Sequence, residues 1–69
     1  MKFVTIDSNE LKRLIKLNGH TQTSVAQQVG VSSSYLINVV SGSKSPGAKV
    51  ATKISQMLGK EVTEIFELK

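Results

Sequence analysis

The sequence predicts an all-α domain of about five short helices, preceded by a short extended segment. Three observations lead there. Apolar residues recur at the three-and-four spacing of a single helix face in segment after segment. Gly19, Gly30, Gly42 and Gly59 stand where those segments stop, and Pro46 stands at the start of another. β-forming residues gather in Met1–Ile6. The chain of 69 residues makes one domain, near the size at which a single core is marginally stable, so association with a partner would help.

Met1–Ile6 is read as extended, lying against the body as a short edge strand. Asp7 and Glu10, at capping-box spacing, open the first helix with acids near the positive end of its dipole. Leu11, Leu14 and Ile15 form its inward stripe, Lys12, Arg13 and Lys16 point elsewhere, and Asn18-Gly19 ends it. Thr21 caps the second helix, which buries Val25, Ala26 and Val29. Gly30 turns the chain sharply at positive φ, and the small Ala26 lets the second and third helices cross closely. Ser32 caps the third helix, Leu36 and Val39 are its inward face, and Gly42 suits its end. Ser45 as cap and Pro46 as first residue start the fourth, with Val50, Ala51, Ile54, Met57 and Leu58 inward, Lys49 and Lys53 outward, and Gly59 as its stop. Thr63 caps a last short helix whose Ile65, Phe66 and Leu68 either close the core or meet a second copy.

Gln22, Val25, Ala26, Val29, Gly30, Val31, Leu36 and Val39 match, position for position, the helix-turn-helix pattern of the Cro and phage-repressor type of DNA-binding domain, which the chain resembles over roughly residues 8 to 67. The run Gly42-Ser43-Lys44-Ser45-Pro46 is similar to that family's loop of glycine, basic residue and proline. The resemblance implies one lambda-repressor-like domain over residues 1–69, with the helix-turn-helix at 22–42 and the helix at 32–41 entering the major groove. Gln22 then holds a backbone phosphate beside Thr23, the competing reading being that Gln22 is simply a helix former. Ser32, Ser33, Ser34, Tyr35 and Asn38 would meet the DNA, Asn38 foremost because Asn pairs bidentately with an adenine edge, while Ser43 and Lys44 would meet phosphate.

The chain also departs from that pattern. The recognition helix carries no Arg, Lys or Gln at its reading positions, and serines discriminate poorly. Ile15 and Val40 occupy the places where relatives often carry an Arg–Glu pair, so an apolar contact replaces the ion pair. Ile37 falls where relatives are commonly polar. Either it tucks against the fourth helix, or Tyr35 and Ile37, with or without Val40, form an apolar rim for a protein partner. Phe66 and Leu68 are the further candidates for a protein interface. His20 sits where relatives are apolar and is read as a partly buried packing residue.

Charge is distributed unevenly. Asp7, Glu10, Glu61, Glu64 and Glu67 lie toward the ends, whereas Lys12, Arg13, Lys16, Lys44, Lys49, Lys53 and Lys60 fill the centre with no acid among them. A block of one sign within a net charge of +4 suits a polyanion, although such lysines also serve as an ordinary solvated face. With no Cys and one His the chain offers no disulfide and no metal cage, and no cofactor is implied. Catalysis is not expected: His20 is the only imidazole, and no glycine-rich phosphate loop precedes a Lys-Ser or Lys-Thr step. No apolar run reaches the ~20 residues of a membrane span, and Met1–Ile6 lacks a signal-peptide core, so the expected setting is the cytoplasm of a bacterium or phage-infected host. The leading reading is a transcriptional regulator on double-stranded DNA, acting as a homodimer. The alternatives are an antirepressor that pairs with a repressor protein as a heterodimer, or an antitoxin-type regulator.

Overall fold

In the computed structural model, which describes residues 1–69, the chain runs β1 (Phe3–Thr5), α1 (Ser8–Leu17), α2 (Gln22–Val29), α3 (Ser33–Ser41), α4 (Ala48–Met57), α5 (Val62–Ile65) and β2 (Phe66–Leu68). Side-chain caps start the first three helices. The Asp7 carboxylate accepts the Glu10 amide at 3.2 Å, but Glu10 turns to Arg13 rather than back to the cap, so half of the box forms. Thr21 and Ser24 cap one another reciprocally at 3.1 and 3.2 Å. Ser32 accepts the Tyr35 amide at 3.1 Å. Gly30 (φ 90°) and Gly42 (φ 89°) end α2 and α3 in the left-handed region, where a side chain would strain the backbone.

Thirteen buried apolar residues from all five helices and β2 form one cluster. It joins Leu11 and Ile15 of α1, Val25, Ala26 and Val29 of α2, Leu36, Val39 and Val40 of α3, Ala51 and Ile54 of α4, Leu58, Ile65 and Phe66. Ile15 and Val40 both lie in this cluster, in keeping with the apolar exchange inferred for the ion pair. Leu14, Val50 and Met57 pack against its margin, partly exposed.

The chain ends supply what the sequence did not announce. β1 pairs antiparallel with β2 in the register Phe3↔Leu68, Val4↔Glu67 and Thr5↔Phe66. The edge strand expected at the N-terminus is therefore half of a ribbon, and residues 66–68 are strand rather than a continuation of the last helix. A four-residue helix has no room for a second turn, and the ribbon satisfies the main-chain groups that follow it. Thr5 Oγ1 donates to the Val39 carbonyl at 2.6 Å, which ties the ribbon to α3, and Phe3 meets the Phe66 ring edge-on at 6.4 Å.

Two helix starts also move. α5 starts behind Glu61, not Thr63: the Glu61 amide donates to the Glu64 carboxylate at 3.0 Å, and the Glu61 carbonyl accepts the Glu64 amide. α4 begins at Ala48 behind Gly47, not at Ser45-Pro46, and Pro46 lies buried in the loop ahead of the helix. Phe66 and Val40, offered as interface residues, are 1% and 0% exposed and belong to the core. Val40 therefore takes no part in an apolar rim, while Ile37 stands exposed and Tyr35 partly so.

Candidate nucleic-acid interface

α3 presents a polar surface because its apolar residues fall on one side. Leu36, Val39 and Val40 face inward, so the helical repeat carries Ser34, Asn38 and Ser41 to the opposite side. Ser33 and Ile37 share one flank, four residues apart, and Tyr35 lies on the other, half-packed against the core. Ser34 and Ile37 are exposed, whereas Ser33, Tyr35 and Asn38 are partly covered. Ile37 is 49% exposed, so it does not tuck against α4. The hydroxyl of Ser32 is committed to the cap, while the N–H groups of Ser33 and Ser34 precede the first intrahelical bond and point out of the helix end.

The loop after α3 is pinned to the same helix. The amides of Ser43 and Lys44 both donate to the Asn38 carbonyl, at 2.8 and 3.1 Å, and the Ser43 and Ser41 hydroxyls lie 3.1 Å apart. Lys44 is thereby held at the far end of α3 with its side chain in solvent.

At the start of α2, Gln22 and Thr23 border a shallow recess shared with Lys12, Ile15, Lys16, His20 and Thr21. The Gln22 Oε1 is shut off from solvent without a partner in the protein. His20 is partly buried, with Nδ1 3.5 Å from the Ser24 hydroxyl. Lys12 and Lys16 were not singled out in the sequence as site residues. The available signal was their separation of four, which places both on one side of α1.

Ion pairing sorts the cations. Arg13 forms a two-point pair with Glu10, which holds the Glu10 carboxyl below the usual carboxylate range and raises the guanidinium, chiefly through the hydrogen bonds between them. Lys60 lies 4.0 Å from Glu64, and Lys69 lies 3.6 Å from Glu67. No carboxylate comes within ion-pair distance of Lys12, Lys16, Lys44, Lys49 or Lys53. The acids thus neutralise cations near the two chain ends and leave the helix-turn-helix surroundings positive. No group of three metal-ligating side chains converges anywhere in the fold.

Residues 11–65 match the helix-turn-helix family, a span that takes in α2, the Gly30 turn and α3. The chain belongs to this helix-turn-helix family. It is also 34% identical, over 58 residues, to an uncharacterised HTH-type transcriptional regulator of Methanocaldococcus jannaschii, covering 84% of this chain and 88% of that protein. The family match begins at Leu11 and ends at Ile65, so it leaves out both strands of the terminal ribbon.

Proposed function

We propose that this helix-turn-helix protein is a transcriptional regulator that binds double-stranded DNA as Cro and the phage repressors do, with α3 in the major groove. One observation supports the reading: α3 carries a polar face, and unpaired cations stand at both ends of the helix-turn-helix unit, Lys12 and Lys16 beside the α2 start and Lys44 beyond the α3 end. Lysines so placed can neutralise phosphates on either side of a groove-bound helix, and the Gln22 amide and the free N–H groups of α2 donate to a phosphate oxygen. Asn38 is the principal base reader, through an adenine edge, with Ser33 and Ser34 as short-range donors and acceptors. Tyr35, Ser43 and Thr23 contact the backbone. The name of the archaeal relative supports the regulatory role.

The protein acts by occupying its operator, with no chemistry of its own, in the cytoplasm. It works as a homodimer, since a domain of this size reads few base pairs alone and two copies double the phosphate contacts. Leu68, 50% exposed on β2, is the candidate for contact with a second copy now that Phe66 is buried. The second reading, a heterodimer with a repressor protein, keeps the exposed Ile37 and the Arg-free α3 that motivate it and loses only Val40 from its surface.

The test is titration of labelled duplexes at several salt concentrations, followed by the Asn38→Ala variant. Binding should weaken linearly on a log–log plot, and the variant should lose about 1–3 kcal/mol of discrimination at one base pair. Salt-independent binding, or undiminished preference in the variant, would contradict the phosphate-driven and Asn38-read parts respectively.

A further inference from the structure

Ile37 is the one large apolar side chain of α3 that stands in solvent, at 49% exposure. Ser33 shares its flank, Ser34, Asn38 and Ser41 occupy the adjoining outward side, all polar, and Val40 behind it is wholly buried. A protein-binding patch needs contiguous apolar surface, which this helix lacks. A single isolated isoleucine on a groove-facing helix fits a target of its own size. The major-groove edges of guanine, adenine and cytosine present hydrogen-bonding groups, and covering them with an isoleucine removes water without replacing its bonds. Thymine alone presents a methyl group there.

We propose that Ile37 is a specificity-determining residue that reads the 5-methyl group of a thymine, an inference that rests on α3 lying in the major groove. Ile37 and Asn38 are adjacent, and both select A·T pairs, Ile37 through the thymine methyl and Asn38 through an adenine edge. α3 holds no Arg or Lys, the usual readers of guanine. The operator half-site is therefore A·T-rich under α3, and its recognition depends on methyl groups as well as hydrogen bonds. Ile37 works by exclusion too, since any other base placed beneath it loses hydration.

The experiment uses the full chain and a duplex enriched from a library with a randomised core. That duplex is resynthesised with deoxyuridine replacing each thymidine in turn, which removes only the methyl group. Affinity should fall about fourfold at one or two positions in each half-site, the value for one methyl-sized group returned to water. Ile37→Ala should bind the thymine and uracil duplexes equally, and Ile37→Val should keep most of the difference. Uniform affinity across the uracil series would overturn the proposal, as would a methyl preference that survives in Ile37→Ala. The uracil series on the unaltered protein stands by itself if the alanine variant folds poorly. Failure to enrich or bind any duplex would instead remove the DNA-binding reading, and this proposal with it; salt-sensitive binding indifferent to the methyl would remove this proposal alone.

Discussion

Removing a positive charge should weaken DNA binding only where that charge is free to meet a phosphate, and the ion pairs of this fold say which charges are free. Lys12, Lys16 and Lys44 have no carboxylate partner and flank the α2–α3 unit, whereas Arg13, adjacent in sequence to Lys12, is held by Glu10. Each neutralised phosphate contributes about −0.9 to the slope of log affinity against log salt, so three contacts give about −2.7 per domain and about −5.4 for a pair of domains. On that basis doubling the salt weakens one domain's hold about sixfold. Lys16→Ala and Lys44→Ala should each reduce the slope by about 0.9 per domain, and Arg13→Ala, with the same loss of formal charge, should leave it nearly unchanged. Fluorescence anisotropy of a labelled duplex across a salt series reads these slopes directly. Equal reductions for Arg13→Ala and Lys16→Ala would show that net charge alone governs binding, and the placement of the lysines would lose its meaning.

Two further outcomes concern the fold. Phe66→Ala should destabilise the protein by about 3–5 kcal/mol in urea unfolding, a large share of the stability available to a domain this small, because the ring is buried against Phe3 and the core. A loss below about 1 kcal/mol, accompanied by a change of oligomeric state in sedimentation, would return Phe66 to the interface. The pair of Glu10 with Arg13 predicts a small pH effect of defined sign: the carboxyl is held low in the folded state, so its stabilisation is present above the usual carboxylate range and disappears as pH falls through the folded value. Glu10→Gln should flatten that limb of an acid-unfolding curve and leave stability at neutral pH almost unchanged, since the pair is solvent-exposed.

The central part of this domain was legible from the chain because its signals are local. Thr21, Ser32, Gly30 and Gly42 each act on the turn in which they stand, and every one appears in the role that its chemistry assigns. The apolar stripe of α2 and α3 followed from spacing alone. What escaped was non-local. The pairing of Phe3–Thr5 with Phe66–Leu68 joins opposite ends of the chain, and no three-residue segment carries enough alternation to declare a strand. The same blind spot misplaced Phe66, which as a helical residue near the terminus could have pointed outward, but in the ribbon it turns toward the core. Pro46 misled differently: a proline after serine is a sound helix-start signal, yet here the ring is more useful buried than at the first helical position. At the candidate interface, Lys12 and Lys16 were overlooked because their relation to Gln22 is set by how α1 packs beside α2, which periodicity does not specify.

The ribbon bears on function through what it leaves free. A small domain must enlist nearly every element in its core, and an element committed on all sides cannot also read DNA. Here the ends of the chain close the base: Phe66 enters the core, Phe3 packs on it, and Thr5 hydrogen-bonds the Val39 carbonyl on the inner side of α3. α3 is thereby braced from behind by a contact that uses none of Ser33, Ser34, Ile37 or Asn38. The carboxylates follow the same division. Asp7 caps α1, and Glu10, Glu64 and Glu67 lie beside Arg13, Lys60 and Lys69, so none of these four carboxylates pairs with a cation of the α2–α3 unit or of the loop after it. On the proposed reading stability and recognition draw on separate residues, so truncation of Phe66 should destabilise the domain while truncation of Ile37 or Lys44 should change only what it binds.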